Sequence, residues 1–167
     1  MRRIILPGLL CGAVLLMGGL PAAAQGVKAE VFLGGSFVRN SSTNYGGWNT
    51  SITGNFLPWL GATADFSGHY NSPLSIHTYT FGPRLAVPQD SGLVPFTQAT
   101  FGVARLSALG ANVNGFAAYI GGGMDWIARD YLAIRLMQLD AQLTRISGNN
   151  SSGTRLSFGV VFRLGQR

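Results

Sequence analysis

The chain of 167 residues contains one cysteine, one lysine, two histidines and six acidic side chains. Each shortage excludes a class of chemistry. The cysteine, Cys11, lies inside an N-terminal apolar run, so the rest of the chain has no disulfide framework and no thiolate for a metal or a nucleophile. Two histidines without cysteine or clustered carboxylates make a poor metal site, and no cofactor is expected. With Lys28 the only lysine and the arginines scattered singly from Arg39 to Arg167, there is no basic face of the kind that nucleic-acid binders carry. Charged residues make up 11% of the chain, against about a quarter in soluble domains, too few to solvate an ordinary surface. Long apolar runs are also missing. Beyond the N-terminus the longest is Gly115 to Met124, well short of the roughly 20 residues of a spanning helix.

The N-terminus carries Arg2 and Arg3, the apolar stretch Ile4 to Leu20 broken by Pro7, and then Pro21-Ala22-Ala23-Ala24-Gln25. This order of charge, apolar core and small residues reads as a secretory signal, with cleavage expected after Ala24. The triplet Gly8-Leu9-Leu10 before Cys11 is not a lipidation box. Residues 25–167 then form one domain, with 10 basic and 6 acidic side chains and no linker or composition break.

What that domain does have is period-two alternation. It predicts an all-β fold of eight strands, at about 27–38, 48–57, 60–70, 75–87, 94–106, 115–127, 132–144 and 153–165. Their length suits tilted membrane strands better than short soluble ones. Segments rich in Asn, Ser, Gly and Thr (39–47, 71–74, 107–114 and 146–152) are expected to be loops at one end, outside the cell if the N-terminus starts in the periplasm. Residues 58–59, 88–93 and 128–131 are expected to be turns at the other. The glycosylation-like triplets at Asn40, Asn49 and Asn149 read as solvated turns.

The alternation sorts side chains by face. In the third strand Leu60, Ala62, Ala64, Phe66 and Tyr70 oppose Gly61, Thr63, Asp65, Ser67 and His69; in the eighth, Leu156, Phe158, Val160, Phe162 and Leu164 oppose Arg155, Ser157, Gly159, Val161 and Arg163. A soluble lipocalin-like barrel would turn the apolar face inward, and a membrane barrel would turn it outward. Periodicity does not choose between them. The small residues of the polar face (Gly34, Thr53, Gly82, Gly102, Gly121, Gly159) suit the narrow interior of an eight-stranded barrel. Trp48, Trp59, Tyr70, Tyr79, Trp126 and Tyr131 fall near predicted strand ends, as interfacial belts do.

The motifs Val31-Phe32-Leu33-Gly34-Gly35-Ser36, Trp59-Leu60-Gly61, Phe81-Gly82-Pro83-Arg84 and Gly121-Gly122-Gly123-Met124-Asp125 occur in order. Ala133-Ile134-Arg135, Gln138-Leu139-Asp140 and Phe158-Gly159-Val160-Val161-Phe162-Arg163-Leu164-Gly165 follow them. Together they resemble the small eight-stranded barrel domain of the outer membrane protein A-like family, across nearly all of residues 25–167. The resemblance implies an antiparallel up-and-down transmembrane barrel in the outer membrane of a Gram-negative-type bacterium, a monomer, in contact with lipid and lipopolysaccharide and inserted by the barrel assembly machinery. Such barrels usually finish on an aromatic residue; here Phe162 is expected to serve, with Arg163 to Arg167 beyond it.

The resemblance also places Glu30, Asp65, Arg84, Asp125, Arg135, Asp140 and Arg155 toward the lumen. A change of phase between Arg135 and Gln138 implies a bulge and adds Gln138 to the set. Mixed charges in a narrow interior must pair. The expected result is a barrel plugged by its own side chains, serving envelope integrity or surface recognition through its outer loops; a small passive pore is the rival. No catalytic residue is expected. His69 and His77 are read as rim histidines exposed to water, and a lipid-modifying enzyme using one of them as base is the enzymatic alternative, although Asp65, Ser67 and His69 are spaced too widely along one strand to bond as a triad.

Overall fold

The structure, a computed structural model, describes residues 28–40, 43–72, 74–108, 111–146 and 148–165. The expected signal segment, residues 1–24 with Cys11, lies outside them. Eight antiparallel strands close into a barrel in sequence order: β1 Lys28–Asn40, β2 Thr43–Asn55, β3 Leu60–Asn71, β4 Leu74–Ala86, β5 Leu93–Ala108, β6 Ala111–Arg129, β7 Leu132–Ile146 and β8 Asn149–Leu164. Closure is made by β1 on β8, from the pair Ala29 and Leu164 to the pair Asn40 and Gly153. No edge is left unpaired, the condition for strands to cross hydrocarbon.

The register shows how the wall is wound. A row of paired residues through Arg145, Phe116, Val103, Tyr79, Phe66, Thr50, Leu33 and Val160 returns to β7 at Ile134, eleven residues from its start. A stagger of this kind accompanies a strand tilt of roughly 35–45°. At that tilt about ten residues of each strand cover a hydrocarbon layer.

Polarity follows the alternation. Leu33, Ile52, Phe81, Phe101, Ile120, Leu139 and Phe158 are exposed on the outer face, while Thr53, Thr63, Asp65, Gln98, Thr100, Gln138 and Arg155 are buried inside. This is the polarity of a membrane barrel and the reverse of a soluble lipocalin-like one. On the outer face Phe37 and Phe158 stack at 6.2 Å, and Tyr79 meets Phe66 edge-on at 6.1 Å.

The strands are longer and the loops shorter than the sequence suggests. Only residues 41–42, 72–73, 109–110 and 147–148 separate the strands at the end far from the termini. Segments 43–47, 111–114 and 149–152, expected as loops, are strand. Their Asn, Ser and Gly residues have turn propensity, but ladder pairing with a neighbour outweighs it. The longer connections lie at the terminal end, at residues 56–59 and 87–92, with 130–131 also there. In the second of these Gly92 adopts φ 77°, a left-handed conformation suited to glycine, and its carbonyl accepts from Ile127 N–H at 2.9 Å. Because β2 starts at Thr43, Trp48 lies well inside its strand, and Tyr79 sits in the middle of β4 rather than near an end.

Wall polarity can be tested by depth. Ile120, 65% exposed near the middle of the apolar band, should cost about 2–4 kcal/mol when changed to Arg, whereas Asn114→Arg, beyond the band on the same strand, should cost about 0–1 kcal/mol. Denaturant unfolding of the chain refolded in lipid vesicles measures both. Equal costs at the two sites would contradict the placement.

Candidate functional site

Inward positions of the eight strands converge on a chain of charged and polar contacts. It depends on a local irregularity in β7. Between Arg135, which pairs with Gly159, and Gln138, which pairs with Ser157, the strand carries one residue more than β8, so Leu136 and Met137 both face outward. The bulge turns Arg135 and Gln138 to the same side, and Arg135 Nη1 donates to Gln138 Oε1 at 2.6 Å.

From one end, Glu30 accepts from Arg84 Nη1 at 2.8 Å, and Arg84 Nη2 donates to Asp125 at 2.8 Å. Asp125 is held from the other side by Arg135, through Nε at 2.8 Å and Nη2 at 3.0 Å. Gln138 passes the chain on, its Nε2 donating to Asp140 at 2.7 Å. Arg155 then spans the lumen. It donates to Asp140 through Nε at 3.1 Å and Nη2 at 2.8 Å, and to Asp65 through Nη1 at 2.7 Å and Nη2 at 3.2 Å. Asn49 Nδ2 closes the chain on Asp65 at 3.0 Å. The three central guanidinium groups and the carboxylates of Asp65, Asp125 and Asp140 are all buried; Glu30 is partly open, and Arg163 lies 4.0 Å from it. Four carboxylates thus face three buried arginines and one at the edge, so the interior charge balances.

Aromatic rings support the cations. Arg135 lies between Phe32 and Phe96, at 4.2 and 4.5 Å from the ring centres; Arg84 sits 4.1 Å from the same Phe96, and Arg155 is 4.2 Å from Tyr119. A desolvated guanidinium over a ring gains up to about 2 kcal/mol. Tyr119 in turn donates to Thr78 Oγ1 at 3.3 Å, and Thr78 bonds Ser67 at 2.6 Å. Every strand contributes: Glu30 and Phe32, Asn49, Asp65, Arg84, Phe96, Asp125, Arg135 and Asp140, and Arg155, from β1 to β8 in turn.

All eight residues proposed from the sequence therefore lie in this one chain of contacts. Phe32, Phe96, Tyr119 and Asn49 were not foreseen. The signal was available, since Phe32 is in phase with Glu30, and Phe96 is in phase with Gln98 and Thr100; large aromatics on a polar face read as misfits until the cations above them are known. Asn49, read as part of a solvated turn, is buried in β2.

The histidines also depart from expectation. His69 is buried in the lumen rather than exposed at a rim, and its Nε2 lies 2.9 Å from Ser36 Oγ, which accepts from Ser157 Oγ at 3.2 Å. The two strands involved, β1 and β3, are separated by β2, and the residue paired with both Ser36 and His69 is Gly47. Having no side chain, Gly47 lets the imidazole cross over it. His77 lies on the opposite side of the wall, 3.1 Å from the Tyr70 hydroxyl. The two cannot share a site. Asp65 and Ser67, His69's neighbours on β3, are bonded to Arg155 and Thr78 instead. Ser36 is fully buried, so the serine–histidine contact has no access to a substrate.

No protein-family model matches the chain, and no curated protein matches it in sequence. Solved structures do match in shape. Neisserial surface protein A superimposes with a TM-score of 0.62 at 14% identity, over 83% of this chain and 97% of that one. The N-terminal β-barrel domain of Pseudomonas aeruginosa OprF gives 0.58 at 11%, over 82% and 97%. Ail, the attachment invasion locus protein of Yersinia pestis, gives 0.56 at 12%, over 84% and 100%. At these identities the likeness is one of fold, the small eight-stranded outer-membrane barrel.

Two substitutions test the interior. Arg155→Leu leaves Asp65 and Asp140 buried without their cation and should destabilise the barrel by about 3–5 kcal/mol, with Asp65→Asn in the same chain recovering part of the loss. Gly47→Ala places a methyl against the Gly68 carbonyl and His69 Cα, and should cost about 1–3 kcal/mol. Urea unfolding in vesicles reads both; a neutral Arg155→Leu would show that the central cation is dispensable.

Proposed function

We propose that this chain is an integral outer-membrane protein that works as a closed, side-chain-filled structural element of the envelope. One observation carries the reading. The contacts from Glu30 through Arg84, Asp125, Arg135, Gln138, Asp140 and Arg155 to Asp65 and Asn49 cross the interior. A passage for ions would have to break charge-assisted bonds in a medium where lone charges are very costly. Eight strands leave an interior just wide enough for side chains to fill, which agrees with this.

The apolar outer face and the fold shared with outer-membrane barrels support the membrane location, with the termini in the periplasm and the far end outside. Lipid and lipopolysaccharide are then its surroundings, the barrel assembly machinery its insertion route, and the monomer its working form. Envelope integrity is favoured over recognition through loops, because the far-end connections are only two residues long. The serine–histidine pair is sealed, which disfavours a lipid-modifying enzyme. The small pore is disfavoured by the same ladder that carries the main reading.

In planar bilayers the refolded chain is expected to give no discrete conductance steps, while running faster on gels before heating than after. Reproducible single-channel steps from the unmodified protein would overturn the closed-barrel reading. A folded, monodisperse chain in buffer without detergent would overturn the membrane reading itself.

A further inference from the structure

The outer face of the far end carries charge that the ladder does not use. Arg39 on β1, Arg105 on β5 and Arg145 on β7 are exposed, two positions past the outward-facing Phe37, Val103 and Leu143. Each is the first outward residue of its strand beyond the apolar band. Among the described residues no side-chain hydrogen bond or ion pair is made by any of the three guanidinium groups. No carboxylate shares that end. Of the six acidic residues four lie in the interior chain, and Asp90 and Asp130 lie in the connections at the terminal end.

The residues paired with these arginines are mostly neutral hydrogen-bonding groups. Asn44 and Thr154 flank Arg39, His77 and Asn114 flank Arg105, and Asn150 lies beside Arg145. Around Arg39 the surface forms a cleft, with Phe37 and Leu156 on its membrane side and Arg39, Asn44 and Thr154 on its outer side. It matches a ligand that is hydrocarbon at one end and anionic at the other.

We propose that this rim binds the phosphate groups of lipopolysaccharide in the outer leaflet, with the Arg39 cleft as its best-formed site; the proposal rests on the outer-membrane reading above. An arginine at the edge of the hydrocarbon layer extends its charged head toward the polar side, where an anion offsets its cost. The guanidinium fork fits phosphate in two-point contact, and Asn44 and Thr154 supply further donors. Acyl chains of the same lipid lie against Phe37 and Leu156. Because no carboxylate competes, the field at this end attracts anions only.

The test uses the full chain, folded in detergent and titrated with diphosphoryl lipid A, with bound lipid counted by native mass spectrometry. The triple variant Arg39→Gln, Arg105→Gln, Arg145→Gln should bind roughly a hundredfold more weakly, about fivefold per arginine, with Arg39→Gln taking the largest single share. Arg129→Gln, at the terminal end, should bind as the unmodified chain does. Lipid A stripped of its phosphates should bind the unmodified chain as weakly as intact lipid A binds the triple variant. Heat-modifiable migration of the triple variant, expected to persist, separates loss of the lipid site from loss of the barrel. Equal lipid A binding by the triple variant and the unmodified chain would overturn the proposal. So would phosphatidylglycerol binding as tightly as lipid A, which would mean undirected attraction. An unmodified chain that does not fold in detergent or lipid would overturn the membrane reading and this site together.

Discussion

A guanidinium group inside a hydrocarbon-wrapped wall has to be neutralised by contact, and the rest of this molecule is arranged around that requirement. Arg84, Arg135 and Arg155 cannot reach bulk water, and each finds at least one carboxylate at 2.7 to 2.8 Å. Their partners come from different strands. Arg84 joins β4 to β1 and β6; Arg155 joins β8 to β7 and β3. A slip of one residue in any of these strands would turn a charge into lipid and leave its partner unpaired, so the pairing enforces the register. Burial of ions is weak support for stability in itself, but here it distinguishes the correct closure of the sheet from its alternatives.

The scarcity of charge and its placement have one origin. Lipid around the wall admits no charge between the two boundaries, so the few ionisable groups are divided between the lumen and the rims. Four of six carboxylates go inside, where three arginines need them. The other two go to terminal-end connections. What remains for the far rim is cationic only.

Glycine makes the interior reachable. Where a strand presents glycine to the lumen, side chains from its neighbours can pass over it, as His69 passes over Gly47 to Ser36. Gly121, paired with Asp140, leaves room for that carboxylate, one oxygen of which would lie 2.6 Å from any added Cβ there. The cost is steric intolerance, since a methyl at either position would run into backbone of the next strand.

Alternation of residue type determined much of this by itself: eight strands in order, which side chains share a face, and the bulge between Arg135 and Gln138, whereas the inward placing of the charged set from Glu30 to Arg155 came from the family resemblance. The first three are local consequences of a period of two and of its interruption. Strand ends were less legible, because Asn44, Asn114 and Asn150 look like turn residues until a neighbouring strand offers their backbone a partner. Only the tertiary structure decided which face met lipid, which acid met which base, that Phe32 and Phe96 carry Arg135 between them, and that His69 is buried while His77 is outside. Those facts depend on residues far apart in the chain brought together by closure and stagger, and no pattern within a single strand encodes them.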